Sequence, residues 1–222
     1  MPTIDRNYCW PEYWGEKTSI MGVLNLTPDS FSDGGEFFSL NNALAQCDQF
    51  VSSGVDIIDL GAQSTRPGAS DISPSEEIQR LIPILKSIRN SYPNLLISVD
   101  TFNSIVAYEA LCNGADWIND ISGGRRDPKI LEVVSKFECP FVITHSRGTS
   151  KNMDKLSNYD NLLSEVIYSL KELTHQALKN NISKEKIIWD PGLGFSKDTN
   201  QNLDILRNLD VFKELNLPIL IG

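Results

Sequence analysis

Short apolar runs and amphipathic stretches alternate along the whole chain. Seven runs read as strands: Ile20–Leu24, Val55–Leu60, Leu95–Val99, Asp116–Ile121, Pro140–Thr144, Ile187–Trp189 and Pro218–Ile221. Runs this short, bounded by turn residues, fit buried parallel strands. Between them the spacing becomes helical. Ala43, Cys47 and Phe50 share one face, as do Ile78, Leu81, Ile82, Leu85 and Ile88, and then Ile130, Val133 and Val134. Residues 160–179 give the clearest stripe, with Leu162, Val166, Leu170, Leu173 and Ala177. Further helices are expected over 104–112 and 200–208.

The punctuation agrees with these elements. Gly54 stands where a helix ends in the C′ position, and Asn113-Gly114 stops another. Ser73-Pro74-Ser75-Glu76 has the form of a capping box with proline at the first helical position. Pro83 lies inside the helix that follows and is expected to kink it. Tyr8, Trp10, Tyr13 and Trp14 in the first 18 residues suggest an irregular or hairpin-like cover over one end of the fold.

Strict alternation of strand and helix, without repeats or linkers, implies one domain over residues 1–222 built on a parallel sheet. A doubly wound sheet and a barrel both satisfy it. No GxGxxG follows the first strand, and polar residues finish nearly every strand: Asn25, Thr65, Asp100, Asn119, His145 and Asp190. In a (β/α)8 TIM barrel those ends share one mouth, so the barrel is the expected class. It needs eight strands and about seven are countable, so the barrel is expected to be C-terminally incomplete.

Composition narrows the partners. A net charge of −9 argues against nucleic acid or an acidic membrane, and no apolar run nears the roughly 20 residues of a membrane helix. Four scattered cysteines, Cys9, Cys47, Cys112 and Cys139, show neither CxxC nor zinc spacing and fit a reducing compartment. The N-terminus does not read as a signal peptide. A cytoplasmic protein is expected.

The strand ends offer specific chemistry. Asn25 carries a carbonyl oxygen suited to Mg²⁺ when a phosphate supplies others, or forms a turn. The Ser64–Gly68 segment sets Thr65 beside Arg66 and Pro67, and Arg66 can grip a phosphate bidentately. Asp100 closes an apolar strand as a candidate site carboxylate or as the N-cap of the next helix. Asn119-Asp120 can read the donor–acceptor edge of a heterocycle, or cap a turn. His145 reads as a structural histidine more readily than a base. Asp190 precedes a Pro-Gly turn, and His175 has no assigned role.

These residues sit in strings that resemble the signatures of dihydropteroate synthase, in that family's order: NLTPDSFSDGG (Asn25–Gly35), STRPGA (Ser64–Ala69), SVDT (Ser98–Thr101), NDISGG (Asn119–Gly124) and DPGLGF (Asp190–Phe195). The resemblance covers nearly everything from Ile20 onward. It implies a TIM barrel, typically a homodimer, that joins 6-hydroxymethyl-7,8-dihydropterin diphosphate to 4-aminobenzoate and releases diphosphate. It implies that Asp100, Asn119 and Asp190 line the pterin pocket and that Asn25 ligates Mg²⁺ with the diphosphate. Thr65 and Arg66 contact the diphosphate and, with Pro67 and Phe195, frame the aminobenzoate. Asp100 and Arg66 are the expected catalytic pair.

Two departures stand out. The family's His-Met-Arg after the fifth strand is His145-Ser146-Arg147 here. The Ser-Arg-Lys that follows the family's seventh strand, and the arginine and histidine of its last strand, lie outside these 222 residues. A pterin-binding methyltransferase domain shares the fold, but methyl transfer needs no diphosphate cradle. A non-catalytic pterin-binding fragment is the remaining alternative.

Overall fold

The structure is a computed structural model that describes residues 9–26, 35–63 and 71–222. They fall into two compact units, one of residues 9–26, 35–63 and 71–119 and the other of residues 120–222.

The first unit alternates β1 (Met21–Asn25), α1 (Gly35–Ser52), β2 (Ile57–Gly61), α2 (Pro74–Ser91), β3 (Leu96–Asp100), α3 (Ser104–Cys112) and β4 (Trp117–Asp120), whose last residue opens the second unit. Each strand pairs in parallel with the next. β2 is buried along its whole length and β3 as far as Val99, because Leu81, Leu85, Ile88, Val106 and Ala110 are fully sequestered with them. Each such large side chain contributes about 1.5–3 kcal/mol by leaving water. β1 departs from the expected buried strand. Leu24 is buried, but Val23 is 53 % exposed and Asn25 is exposed too. Only one face of β1 is covered, and its described ladder runs to β2 alone.

Local chemistry explains the helices. Ser73 caps α2 by accepting the Glu76 N–H at 3.2 Å. The Glu76 carboxylate, expected to complete a capping box, pairs instead with Arg80. α2 runs through Pro83 to Ser91, so the proline does not end it. Near its C-terminus Arg89 donates to Gly114 O at 3.0 and 2.8 Å, to Leu95 O at 2.6 Å and to Asp116 Oδ2 at 2.5 Å. That guanidinium ties α2 to the approaches of β3 and β4. The aromatic cover is real: Trp10 and Trp14 stack at 4.7 Å and meet the buried Trp117 edge-on. Trp117 donates its indole N–H to Cys9 O at 2.6 Å.

The second unit contains α4 (Lys129–Phe137), β5 (Phe141–Thr144), α5 (Leu162–Lys179), β6 (Ile187–Asp190) and α6 (Thr199–Arg207). β5 and β6 are parallel and wholly buried. The stripe Val166, Leu170, Leu173 and Ala177 is the buried face of α5. Asp198 and Gln201 form a reciprocal capping box on α6. The expected seventh strand is reduced to a single bridge: Trp189 donates to Pro218 O at 2.9 Å and Leu220 to Trp189 O at 2.8 Å, pairing Trp189 with Ile219. Among the described residues no helix is long and apolar enough to cross a membrane.

Candidate functional site

The ladder of the first unit puts strand ends in one row. Asn25 pairs with Gly61, Gly61 with Asp100 and Asp100 with Asn119. Side chains in register project to the same face of a sheet, so three of the expected site residues share a row with a glycine, which Asn25 and Asp100 flank. A methyl group placed on Gly61 would touch Asp100 Oδ2 at 3.5 Å and Asn25 Oδ1 at 3.6 Å. Both oxygens therefore lean over the same backbone position. Asp100 is not the cap of α3, because Asn103 occupies that place. Asn103 spends its amide on the buried Glu77, at 2.6 Å.

Asn119 is oriented from within the same unit. Its Nδ2 donates to Asp59 Oδ2 at 3.1 Å. Its Oδ1 is buried and has no partner among the described residues. An orphan acceptor of this kind is costly unless something donates to it. Asp59 is itself 4 % exposed, and burial pushes its carboxyl up while the Ser98 hydroxyl and the Asn119 amide oppose that rise. Asp59 was missed in the sequence. A carboxylate inside the apolar run Ile57-Ile58-Asp59-Leu60 was the available signal.

In the second unit, Asp120 does not extend the reading edge expected of Asn119-Asp120. Its two oxygens accept the N–H groups of Ser122 and Gly124, both at 2.7 Å, so it caps the turn of the NDISGG string. Ser146 donates to Ile121 O at 2.6 Å, and its carbonyl accepts from Arg125 at 2.7 Å. Arg147 is spent locally: it lies over the Tyr159 ring at 3.8 Å and pairs with Glu165 at 2.5 Å. Arg125, His145, Arg147, Glu165 and Tyr168 line a groove of about 490 Å³.

Asp190 ends β6 and is 8 % exposed. Oδ1 accepts the Gly192 N–H at 2.7 Å and Oδ2 the Thr144 hydroxyl at 3.3 Å. Burial pushes its carboxyl up to about 6, against the Gly192 N–H, the Lys197 ammonium and the Thr144 hydroxyl. His145 is 1 % exposed, and burial, then Lys197, Arg125 and Arg147, hold its imidazole down at about 2. That fixes it as a neutral structural group. Phe195 is half-buried on the same turn, its N–H donating to Gly192 O at 3.2 Å. Thr65, Arg66 and Pro67, and the Thr27–Gly34 part of the first loop, lie outside the described residues. Among the described residues no three His, Cys, Asp or Glu side chains gather as a metal cluster. Asn25 Oδ1 is nonetheless the hard oxygen donor that a small divalent cation takes alongside phosphate oxygens.

Known proteins resemble this chain in sequence and in fold. The family described as pterin binding enzyme matches residues 21–222. A dihydropteroate synthase of Synechocystis is 44 % identical over 209 residues, which is 94 % of this chain and 72 % of that protein. A folate synthesis bifunctional protein of Arabidopsis thaliana is 47 % identical over 94 % of this chain, and the chain spans 46 % of its length. The crystal structure of dihydropteroate synthase from Clostridium difficile, solved in the presence of pteroic acid, superposes with a TM-score of 0.87 at 41 % identity. It covers 94 % of this chain and 76 % of that one. The match selects the barrel class over the doubly wound alternative.

Proposed function

The chain belongs to the dihydropteroate synthase family of pterin-binding enzymes, and on that premise we propose that it condenses 6-hydroxymethyl-7,8-dihydropterin diphosphate with 4-aminobenzoate. The products are 7,8-dihydropteroate and diphosphate, which makes it a transferase of an alkyl group other than methyl. The observation that carries the reading is the register row Asn25, Gly61, Asp100, Asn119, which aligns an amide, a carboxylate and a second amide at the carboxyl ends of parallel strands.

Each residue has a role its surroundings support. Asn119 presents a buried carbonyl oxygen that needs a donor, and a pterin ring supplies N–H groups. Asp190, with one oxygen on Gly192 and the other on Thr144, keeps lone pairs for the guanidine-like edge of the ring. Asp100 stabilises the positive charge that grows on the pterin methylene as its C–O bond to diphosphate breaks. The aromatic amine then forms the C–N bond and releases a proton. Arg66 and Thr65 are assigned to the departing diphosphate, and Pro67 with Phe195 to the aminobenzoate. Mg²⁺, held by Asn25 and the substrate's oxygens, would neutralise diphosphate charge when bound. Soluble substrates of this kind suit a cytoplasmic protein.

The test is direct. The purified protein is incubated with the pterin diphosphate, with and without 4-aminobenzoate, and free diphosphate is measured. Release that depends on the amine supports the synthase. Binding of the pterin without amine-dependent release would leave a pterin-binding protein with different chemistry.

A further inference from the structure

Lys197 closes the turn that Asp190 opens, and none of the roles above uses it. It is 8 % exposed. Its ammonium donates to Gly192 O at 2.8 Å and Phe195 O at 2.9 Å, and it lies 2.9 Å from His145 Nδ1 and 3.4 Å from His145 O. Lysine is rarely buried to this degree unless paired, and a turn can be closed by a neutral side chain without the desolvation cost of a charge. The partners show what the ammonium holds. Gly192 accepts from Lys197 through its carbonyl and donates to Asp190 Oδ1 through its N–H. One α-carbon therefore carries a hydrogen-bonded chain from the ammonium to the carboxylate.

The backbone there has no slack. Gly192 has φ +71°, and a side chain on it would meet His145 O at 2.1 Å. The His145 N–H in turn donates to Asp190 O at 2.8 Å. Because an ammonium only donates, the His145 Nδ1 that faces it is the bare nitrogen. The imidazole and the two turn carbonyls surround the lysine, and Gly192 joins that cluster to Asp190.

We propose that Lys197 is a positioning residue for Asp190: it fixes the Asp190–Gly192 turn and keeps the carboxylate charged, as an acceptor for the donor edge of the pterin. The inference rests on the pterin role proposed for Asp190. The charged and titratable groups facing the pair are His145, Arg147 and Arg125, with Thr144 on the far oxygen of Asp190. Burial lowers Lys197 to about 7, Asp190 opposes that fall and Arg147 adds to it. Each of the two groups is thus the other's counter-charge.

Lys197→Met keeps a linear side chain and removes the charge. The midpoint of Asp190 is followed in the ligand-free full chain by carboxyl ¹³C NMR, and affinity for pterin-6-carboxylate by calorimetry. The Asp190 midpoint should rise by about one pH unit when its counter-charge is removed. The variant's loss of affinity should then be about tenfold larger near pH 5 than near pH 8, where only the loosened turn is felt. A purely structural lysine would weaken binding equally at both pH values and leave the midpoint in place, and either result overturns the proposal. Lys197→Gln, also neutral, carries the same comparison if the methionine variant does not fold. If wild type itself binds no pterin, the proposed function fails, while the NMR midpoint still decides whether Lys197 sets the charge of Asp190.

Discussion

Replacing Asp190 by asparagine should strengthen the fold while destroying the pterin site. The carboxyl is held up at about 6 by burial, from an ordinary value of 3.8. Between those two values the folded protein keeps a proton that the unfolded chain has released. Stability therefore falls as pH rises through that window, and the full cost is present above about 6. At about 1.4 kcal/mol per pH unit, the charged carboxylate costs about 3 kcal/mol in the folded state. Asparagine avoids that cost and keeps the geometry. Its oxygen can accept from Gly192, and its amide can donate to the Thr144 hydroxyl.

The midpoint of about 6 already contains the opposing attraction to Lys197, so up to about 3 kcal/mol is expected near pH 8. For a chain of this size that raises Tm by roughly 3–10 °C. Near pH 4 the folded aspartate is protonated and uncharged like the asparagine, and the difference should shrink to about 0.5 kcal/mol. Urea unfolding of both proteins at the two pH values measures it, with calorimetry confirming loss of pterin binding in the variant. A variant less stable at pH 8, or a difference independent of pH, would show that burial does not strain this carboxylate.

Three further outcomes are expected. Arg89→Met removes the guanidinium that the carbonyls of Tyr92, Pro93, Leu95 and Gly114 share, leaving Asp116 only neutral donors such as the Ile97 N–H, and should cost about 3 kcal/mol in urea unfolding; a loss under about 1 kcal/mol would refute the clamp. Gly192→Ala forces a methyl group into the His145 carbonyl at positive φ and should lose more than the ~1–2 kcal/mol of left-handed strain alone, together with pterin binding; normal stability would contradict the turn geometry. Arg66→Ala should weaken the diphosphate-bearing substrate by up to a few kcal/mol while sparing free pterin, and calorimetry showing equal losses for both would remove the phosphate role.

What could be read from the sequence, and what could not, follows from the range of the interactions involved. Apolar runs ending in Asn25, Asp100 and Asn119 were legible because parallel strands in register turn a local pattern into a shared row. α3 and the stripe of α5 were legible because helical period and end signals are local too. The capping box on α2 failed at its second half because Arg80, one turn on, competes for Glu76. The pair Asn119-Asp120 divided because a carboxylate followed by small residues and glycines is drawn to the N–H groups of its own turn. Lys197 was illegible for a different reason. A lysine after Phe195 and Ser196, just before the cap of α6, has every local mark of a solvated loop residue. Only the fold bends its ammonium back onto carbonyls of Gly192 and Phe195 and the ring of His145, one of them 52 positions away in the chain. The strand-end residues declare themselves because they interrupt a pattern. The groups that hold them in charge and orientation, Asp59 and Lys197, are found by following each polar atom to its partner.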